Sequence, residues 1–219
     1  MLPNRREKLH VPSNGKIARP ANRRHLIIKA AARLFCEKGF ERTTVRDLAD
    51  AVGMNSGSLF FHFRSKDAIL QEVLEDGLTR ALDTLENSLA NADSPSEKLR
   101  AVFHSHLRAI LDEKRDAFIV VLRDWRNLSR KDRKRIIALR DEYERQIGVV
   151  VDQCAKAAHI SVDSRLLRLF ILGALNWTIQ WYRDNGELTI AELADEFLGW
   201  CSTMFYRAQA PGTYRPSPR

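Results

Sequence analysis

The sequence predicts an all-α protein of about nine helices, three short ones followed by longer ones. Strand signals are nearly absent, because no segment sustains a two-residue alternation and no Asn-Gly or Asp-Gly pair separates β-branched runs. Helix-starting pairs, a Ser or Thr followed three residues later by an acidic residue, recur at positions 44, 94, 129 and 189. Apolar residues at helical spacing accompany these starts, which favours helices throughout.

Cap and breaker residues delimit the elements in order. Residues 1–22, rich in Pro and basic residues, predict a disordered arm, and residues 208–219 predict a disordered tail. A first helix contains the apolar residues of 26–35 and ends at Gly39. The later helices are predicted at about 44–51, 55–61, 65–91, from 94 onward, 129–158, 163–185 and 189–207.

Positive charge is concentrated at the N-terminal end. Residues 1–72 carry 14 Lys and Arg against 7 Asp and Glu, whereas the other 147 residues carry 22 against 21. Such an excess at one end is typical of a segment that meets a polyanion, although a basic arm that only keeps the protein soluble is the alternative.

Two short helices joined by a tight turn predict a helix-turn-helix. Ala49 is small where the two helices must approach, and Gly53 occupies a turn position that needs a positive φ. The apolar residues that would pack the pair onto the first helix are Leu48, Val52, Met54 and Leu59. The third helix would then lie in a major groove, with an ordinary helical hairpin as the alternative.

The segment IIKAAARLFCEKGFERTTVRDLADAVGMNSGSLFFHFRSKDAIL resembles the N-terminal domain of TetR-family transcriptional regulators along nearly its whole length. Matching motifs are A-x-x-LF-x-x-x-G-F, TTV-x-DLA, A-x-G and GSLF-x-HF-x-SKD. The resemblance implies a three-helix helix-turn-helix DNA-binding domain over 23–68 and a larger helical domain for effector binding and dimerisation over 69–207. It also implies double-stranded operator DNA, a small-molecule effector and a second copy of the protein as partners, with no cofactor and no membrane.

The resemblance implies DNA contacts for ten residues. Thr44 caps the second helix and would face a phosphate, while Arg46 would reach a base edge or only a phosphate. Ser56 and Gly57 would allow close approach to the groove, and Phe61 would lie against a thymine methyl or a sugar. The other expected contacts are Arg23, Arg24, Asn55, His62 and Lys66.

One position departs from the family pattern. The family most often has Tyr where this sequence has Phe60, and the Tyr hydroxyl bonds a phosphate. Phe60 cannot make that bond, so the contact is either lost or taken over by His62 or a water. Phe60 would alternatively belong to the core.

The sequence does not predict an enzyme or a metal site. No HExxH, P-loop, GxSxG or GxGxxG motif occurs. His104 and His106 diverge by about 200° on a helix, so they are not expected to share a metal, and a core or pocket histidine is favoured. Three widely spaced cysteines predict reduced thiols in a cytoplasmic protein.

The resemblance implies that the last two helices form the dimer interface, and their composition fits. The helix that follows Asp163 is apolar on most faces, and the last helix carries apolar residues at helical spacing. The expected interface residues are Leu169, Gly173, Phe197, Trp200 and Met204.

An effector pocket is expected among the fourth to eighth helices. Its expected lining residues, for each of which ordinary core packing is the alternative, are Phe103, Leu107, Phe118, Leu122, Trp125, Tyr143, Asn176 and Trp177. The segments GALNWTIQWYR, RDWRNLSRKDRKRI and LRDEYE resemble a TetR subgroup that responds to acyl-CoA thioesters. The cations that would hold the CoA phosphates, or alternatively form a solvated face, are Arg126, Arg130, Lys131, Arg133, Lys134, Arg135 and Arg183.

The sequence therefore favours a homodimeric repressor that a small hydrophobic effector, such as an acyl-CoA thioester, releases from its operator. The alternative is an effector-independent, DNA-bound architectural or division-linked protein of the same fold. Nothing at the N-terminus resembles a secretory signal, and the apolar run 169–175 is too short to span a bilayer.

Overall fold

The computed structural model describes residues 20–207 and the side chains of residues 23–203. Within those bounds the protein forms nine α-helices, one 3-10 turn and no strand, which confirms the all-α prediction. The helices are α1 (Pro20–Lys38), α2 (Val45–Ala51), α3 (Ser56–Phe60), α4 (Lys66–Ala90), α5 (Pro95–Leu111), α6 (Asp116–Asp124), α7 (Arg133–Ala157), α8 (Ser164–Trp181) and α9 (Ile190–Arg207), with the 3-10 turn at Trp125–Asn127.

Most predicted helix starts are confirmed because the expected capping hydrogen bonds are formed. Thr44 and Ser94 each make a complete capping box, with Asp47 and Glu97 as the acidic partners. Asn55, Ser65 and Asp163 accept a hydrogen bond from a backbone N–H in the first turn of α3, α4 and α8. Gly39 and Gly53 have positive φ angles of 84° and 65°, as expected for the residues that end α1 and α2.

Three boundaries differ from the sequence predictions. Helix α6 begins without a side-chain capping hydrogen bond, and the residue before it, Arg115, has a helical conformation. The sequence therefore contains no capping residue that marks the start of this helix. Helix α7 begins one turn after Ser129, whose hydroxyl accepts from the N–H of Asp132 in a separate turn. Helix α8 ends at Trp181, because Tyr182 is extended. The prediction that it continues to residue 185 was wrong.

The predicted arm and tail fall mostly outside the described residues. Residues 1–19 and 208–219 are not described, and residues 20–22, predicted as the end of the arm, lie in α1. Cys36, Cys154 and Cys201 are free thiols. None of the described helices combines the length and the apolar character that a membrane span requires.

Helix α4 joins the N-terminal three-helix unit to the rest of the molecule. Its buried face packs against α1, α5, α6 and α7. Gly77 lies against the start of α6, where an added Cβ would be 2.9 Å from the backbone carbonyl carbon and oxygen of Ala117. Helix α6 also packs against α1 and is therefore in contact with both parts of the molecule.

Candidate DNA-binding and effector sites

Helices α2 and α3 form a compact helix-turn-helix on α1. Leu48 and Ala49 of α2, Leu59 of α3 and Phe63 just after it are buried together in the core that α1 and α4 complete. The turn is closed by the N–H of Met54, which donates to the carbonyl of Ala49 over 2.9 Å. The short connection between the two helices, residues 52–55, needs the positive φ of Gly53.

The outer face of this unit presents cationic, small and aromatic side chains. The Arg46 side chain is 86% exposed, and its Nε lies 3.8 Å from Asp50 one turn later. Gly57 is exposed near the start of α3, and Phe61, at its end, is 91% exposed. A Phe side chain this exposed contributes almost no buried apolar area to the stability of the protomer. It is therefore available to contact a partner.

Thr44 is occupied by its own capping box. Its backbone N–H and its hydroxyl both donate to Asp47 Oδ2, over 2.8 and 2.7 Å, and these bonds, the hydroxyl bond first, lower the pKa of Asp47. Lys38 donates to the other carboxylate oxygen over 2.9 Å. A phosphate at Thr44 would therefore take the place that the Asp47 carboxylate occupies here.

Arg24 makes intramolecular contacts instead of extending from the surface. Its guanidinium forms a two-bond ion pair with Glu72 of α4 and donates to the carbonyl of His62. It also lies over the ring of Phe63, 4.2 Å from the centroid. These contacts fix α1 to α4 and to the end of α3. The expectation that Arg24 clamps flanking DNA is not supported by this position.

Lys66 has a similar internal role. Its Nζ donates to the carbonyls of Phe40 and Thr43, over 3.0 and 3.1 Å, and lies 4.1 Å above the Phe40 ring. Lys66 thus holds the α1–α2 loop against the start of α4. Its ammonium could reach a phosphate with one remaining donor only.

The other expected DNA-contact residues are at least partly accessible. Asn55 is exposed and uses its amide oxygen to cap α3, while Ser56, His62 and Arg23 are partly exposed. Phe60 is half exposed, so the alternative that Phe60 is a core residue was wrong. No sequence signal pointed to the Arg24–Glu72 pair, because the two residues are 48 positions apart.

The residues expected to line an effector pocket separate into three groups. Phe103, Leu107, Phe118 and Tyr143 are buried in one continuous core. Leu122, Trp125 and Asn176 are partly buried. Arg126, Trp177 and Arg183 are exposed, and Trp177, 66% exposed, lies on the outer face of α8. The expectation that Trp177 lines an enclosed pocket is therefore corrected by its position.

A polar network crosses the buried group. His106 of α5 contacts Tyr143 of α7 through Nδ1 (3.0 Å) and Asn176 of α8 through Nε2 (3.1 Å). Burial lowers the pKa of His106 to about 4 and raises the pKa of Tyr143, so both groups are uncharged at neutral pH. Phe118 of α6 packs edge-on against both rings, at centroid distances of 5.9 and 5.6 Å.

His104 points away from this network. It contacts Asp195 of α9 over 2.8 Å, and Arg100 donates to the other oxygen of the same carboxylate over 2.9 Å. The hydrogen bond with His104 is the main cause of the lowered pKa of Asp195. Among the described residues, no group of three His, Cys, Asp or Glu side chains is placed to hold a metal ion.

The predicted cation cluster is divided by its own contacts. Arg133 donates to the carbonyls of Arg126 and Leu128, and Arg135 pairs with Glu75 over 3.1 Å. The other exposed cations of this stretch, here called the basic segment, are Arg126, Arg130, Lys131 and Lys134. The indole of Trp125 lies beside it, with the guanidinium carbons of Arg126 and Arg140 at 4.8 and 4.5 Å from the ring centroid.

Arg183 lies apart from the basic segment. The adjacent Asp184 is 4.0 Å from Arg115, which precedes α6, whereas Arg126 follows α6. The nine residues of α6 separate these two ends by roughly 13 Å. The backbones of Arg183 and the basic segment are therefore at opposite ends of α6.

Two open grooves lie on the outer surface of α7. The larger, of about 690 Å³, runs between α7 and α8 and is lined by Glu144, Arg145, Lys156, Arg165 and Arg168 among others. The smaller, of about 400 Å³, lies between α4, α5 and α7. Neither groove contains any of the residues expected to bind the effector.

An exposed apolar stripe runs along α8. Its members lie three, four, seven and eleven residues after the first and are Leu166, Leu169, Phe170, Gly173 and Trp177. On α9, Trp200 is exposed and packs edge-on against Phe197 at 5.1 Å between ring centroids. The exposed apolar side chains of the stripe, and Trp200 on α9, are of the kind expected at an interface between proteins. The side chain of Met204 lies outside the described residues.

Comparison with known proteins gives two family matches. Residues 27–73 match the family described as bacterial regulatory proteins, tetR family. Residues 92–205 match the tetracyclin repressor-like C-terminal domain.

Individual relatives and solved structures are similar over most of this protein. The HTH-type transcriptional repressor KstR2 of Mycolicibacterium smegmatis is 32% identical over 83% of this protein and 89% of its own length. The solved structure of the superantigen PfiT is 41% identical, with a TM-score of 0.70 over 83% of this protein and 96% of that one. AibR in complex with isovaleryl coenzyme A and operator DNA has a TM-score of 0.75 at 24% identity, over 81% and 97%.

Proposed function

Because this protein belongs to the TetR family of bacterial regulatory proteins, we propose that it is a homodimeric transcriptional repressor that an acyl-CoA thioester releases from operator DNA. The observation that carries the DNA-binding part is the exposed face of α2 and α3. On this face the side chains of Arg46 and Phe61 are exposed, and so is the backbone at Gly57. The opposite face of the unit, with Leu48 and Leu59, is buried.

In this proposal α3 lies in the major groove and Arg46 is its main neighbour from α2. Arg46 has the reach and the exposure to bond the O6 and N7 atoms of a guanine, and Phe61 supports the contact with an apolar surface for a thymine methyl. Gly57, Ser56 and Asn55 allow the helix start to approach the groove edge. Arg24 and Lys66 also hold α1, α3 and α4 in the geometry that presents this face, beside the DNA contacts predicted for them.

The effector site of this proposal lies in the domain formed by α4–α9, where Phe103, Leu107, Phe118 and Tyr143 supply apolar walls. The relatives support it, since KstR2 is a transcriptional repressor and the AibR structure contains isovaleryl coenzyme A and operator DNA on a similar fold. The basic segment supplies cations that suit the CoA phosphates, with the exposed Arg126 already stacked on Trp125.

The dimer is formed in this proposal through the α8 stripe and Trp200. Two copies that share these surfaces would bury side chains that are exposed in the single protein, and the two α3 helices would read two half-sites. In this proposal the protein acts in the cytoplasm, and it acts on DNA by binding it and not by catalysis.

The test begins with an operator enriched from random DNA by the full-length protein. Arg46→Ala is expected to weaken binding to that operator by about 1–3 kcal/mol and to relax the preference at one base pair, as measured by fluorescence anisotropy. Arg80→Ala, which removes an exposed arginine of α4 that pairs with Asp76 one turn away, is the matched control. Isovaleryl-, octanoyl- and palmitoyl-CoA are then titrated into the complex.

Release of the DNA by at least one thioester is the expected result. Equal operator affinity of Arg46→Ala and wild type would overturn the assignment of the DNA-binding face. Operator binding that none of the thioesters weakens would overturn the effector class and leave the DNA-binding assignment standing.

A further inference from the structure

The His106 network differs from every other buried polar side chain in the described part of the protein. Four polar residues are buried there, namely Thr43, Ser105, His106 and Thr178. Ser105, Thr178 and Thr43 each donate to a backbone carbonyl of their own helix or adjoining turn, which is how such hydroxyls are usually satisfied. His106 instead depends on side chains of two other helices.

The network also lies where three helices meet beside a fourth. His106 (α5), Tyr143 (α7) and Asn176 (α8) are linked by two hydrogen bonds, and Phe118 of α6 covers them. Apolar side chains of similar volume would fill this position without the cost of desolvating three polar groups. Buried apolar side chains, among them Phe103, Leu107 and Phe118, belong to the core around the network, so helix packing alone gives no reason for its polarity.

We propose that the His106 network is the recognition point for an uncharged carbonyl of the effector, and that it selects an acyl thioester over the free carboxylic acid. This inference rests on the proposed function, because it concerns the effector of that same domain. The carbonyl oxygen would accept from His106 Nε2, which donates to Asn176 in this structure, while the Tyr143 hydroxyl donates to Nδ1 and so keeps the imidazole proton on Nε2.

The neutral character of the network is the basis of the selection. Its three members are a phenol, an amide and an imidazole whose pKa burial lowers to about 4, so none carries a positive charge at neutral pH. A carbonyl needs only a neutral donor in such a site. A carboxylate would lose its hydration without gaining a cation, and that loss is far larger than for a neutral carbonyl.

Asn176 is the most accessible member of the network. His106 and Tyr143 are buried, whereas Asn176 is partly exposed on α8. An effector that replaces Asn176 as the partner of His106 would leave the buried His106–Tyr143 bond in place. The acyl tail would then extend along Phe118 and the neighbouring core.

The experiment compares octanoyl-CoA with S-octyl-CoA, a thioether that has no carbonyl, by calorimetric titration of the full-length protein. Wild type is expected to bind octanoyl-CoA about tenfold more tightly than S-octyl-CoA, because the thioether would displace Asn176 and leave His106 Nε2 unpaired, at a cost of about 1.4 kcal/mol. Octanoate is expected to bind still more weakly. His106→Phe should remove the difference between the two CoA compounds. Phe103→Leu, a buried change one turn earlier on α5, is the control and should weaken both compounds alike.

If His106→Phe does not fold, Tyr143→Phe serves as a second variant. It removes a single oxygen atom and keeps the ring. A thioester preference that survives both substitutions would overturn the inference while leaving acyl-CoA release intact. The inference would also be overturned if wild type bound octanoyl-CoA and S-octyl-CoA with equal affinity, or octanoyl-CoA and octanoate with equal affinity. Absence of binding by either CoA compound would overturn it together with the effector class, whereas the operator measurements would stand.

Discussion

Arg123 of α6 donates to the backbone carbonyl of Cys36, 2.8 Å away in the last turn of α1. The same Nη2 atom lies 3.1 Å from the carbonyl of Phe35. Carbonyls in the last turn of a helix have no partner within the helix, so Arg123 supplies one from another element. The start of α6 contacts the His106 network through Phe118. Helix α6 therefore connects the proposed effector site directly to the DNA-binding unit.

Arg123→Ala is expected to uncouple the effector from DNA. Transmission requires an element that contacts both sites, and this substitution removes the hydrogen bonds by which α6 holds α1. We expect the ratio of operator affinities without and with saturating octanoyl-CoA to fall at least about fivefold, within the range typical of such coupling. Anisotropy titrations give the operator affinities, and thermal shift checks that the thioester still binds.

Arg80→Ala again serves as the control, because Arg80 is an exposed arginine that pairs with Asp76 of its own helix. Its coupling ratio should equal that of wild type. An unchanged ratio in Arg123→Ala would show that α6 does not transmit through this contact.

Gly77→Ala is expected to destabilise the protein by about 1–3 kcal/mol through overpacking. The added Cβ would lie 2.9 Å from the backbone atoms of Ala117, which cannot move aside as the end of a flexible side group does. The melting temperature should fall by roughly 2–10 °C. Gly148→Ala is the matched control on α7, where the Cβ would meet only the flexible Arg168 side chain, and it should not lower the melting temperature. Equal melting of the two variants would contradict the tight α4–α6 contact.

The local signals in the sequence were sufficient for most of the fold. Caps act within three residues of the helix start, so Thr44, Ser94 and Thr189 could be recognised from spacing alone. Helix α6 has no such cap, and its start could not be read. The burial of Leu59 and Phe63 beside the exposed Phe61 likewise agrees with helical geometry.

Contacts between distant residues could not be predicted in this way. Arg24 and Lys66 were expected at the DNA because they match family positions. In the structure Arg24 forms an ion pair with Glu72, and Lys66 donates hydrogen bonds to loop carbonyls. Trp177 was expected to line the pocket, on a helix that is apolar on most faces. When most faces of a helix are apolar, periodicity does not tell which face meets the core, and only the packing of α8 against α5 and α7 decides it.

Substitution of the α8 stripe is expected to produce a monomer. Phe170→Glu combined with Trp177→Glu places two charges in a surface that, in the proposed dimer, loses its water. Light scattering should give the mass of a monomer, and operator affinity should fall because one copy contacts one half-site. Val149→Glu changes an exposed apolar residue on the outer face of α7 and should remain dimeric. A dimeric double variant would place the interface elsewhere.

Acid is expected to destabilise the folded protein through His106. Its folded pKa of about 4 lies below the ordinary value of 6.5, so between those values the unfolded protein binds a proton that the folded protein does not. The contribution of the neutral ring is therefore complete above about pH 6.5 and is lost as the pH falls toward 4. Between about pH 7 and pH 5 the loss should be about 2 kcal/mol of unfolding free energy.

The measurement is denaturant unfolding of wild type and His106→Gln at one protein concentration, because stability of a dimer depends on concentration. Gln does not titrate, so its unfolding free energy should change by about 2 kcal/mol less than that of wild type over this range. The paired carboxylates Asp47, Glu97 and Glu192 have lowered pKa values and lose their contributions at more acid pH, and they are common to both proteins. Parallel pH profiles for the two proteins would mean that His106 is protonated, or solvated, in the folded state.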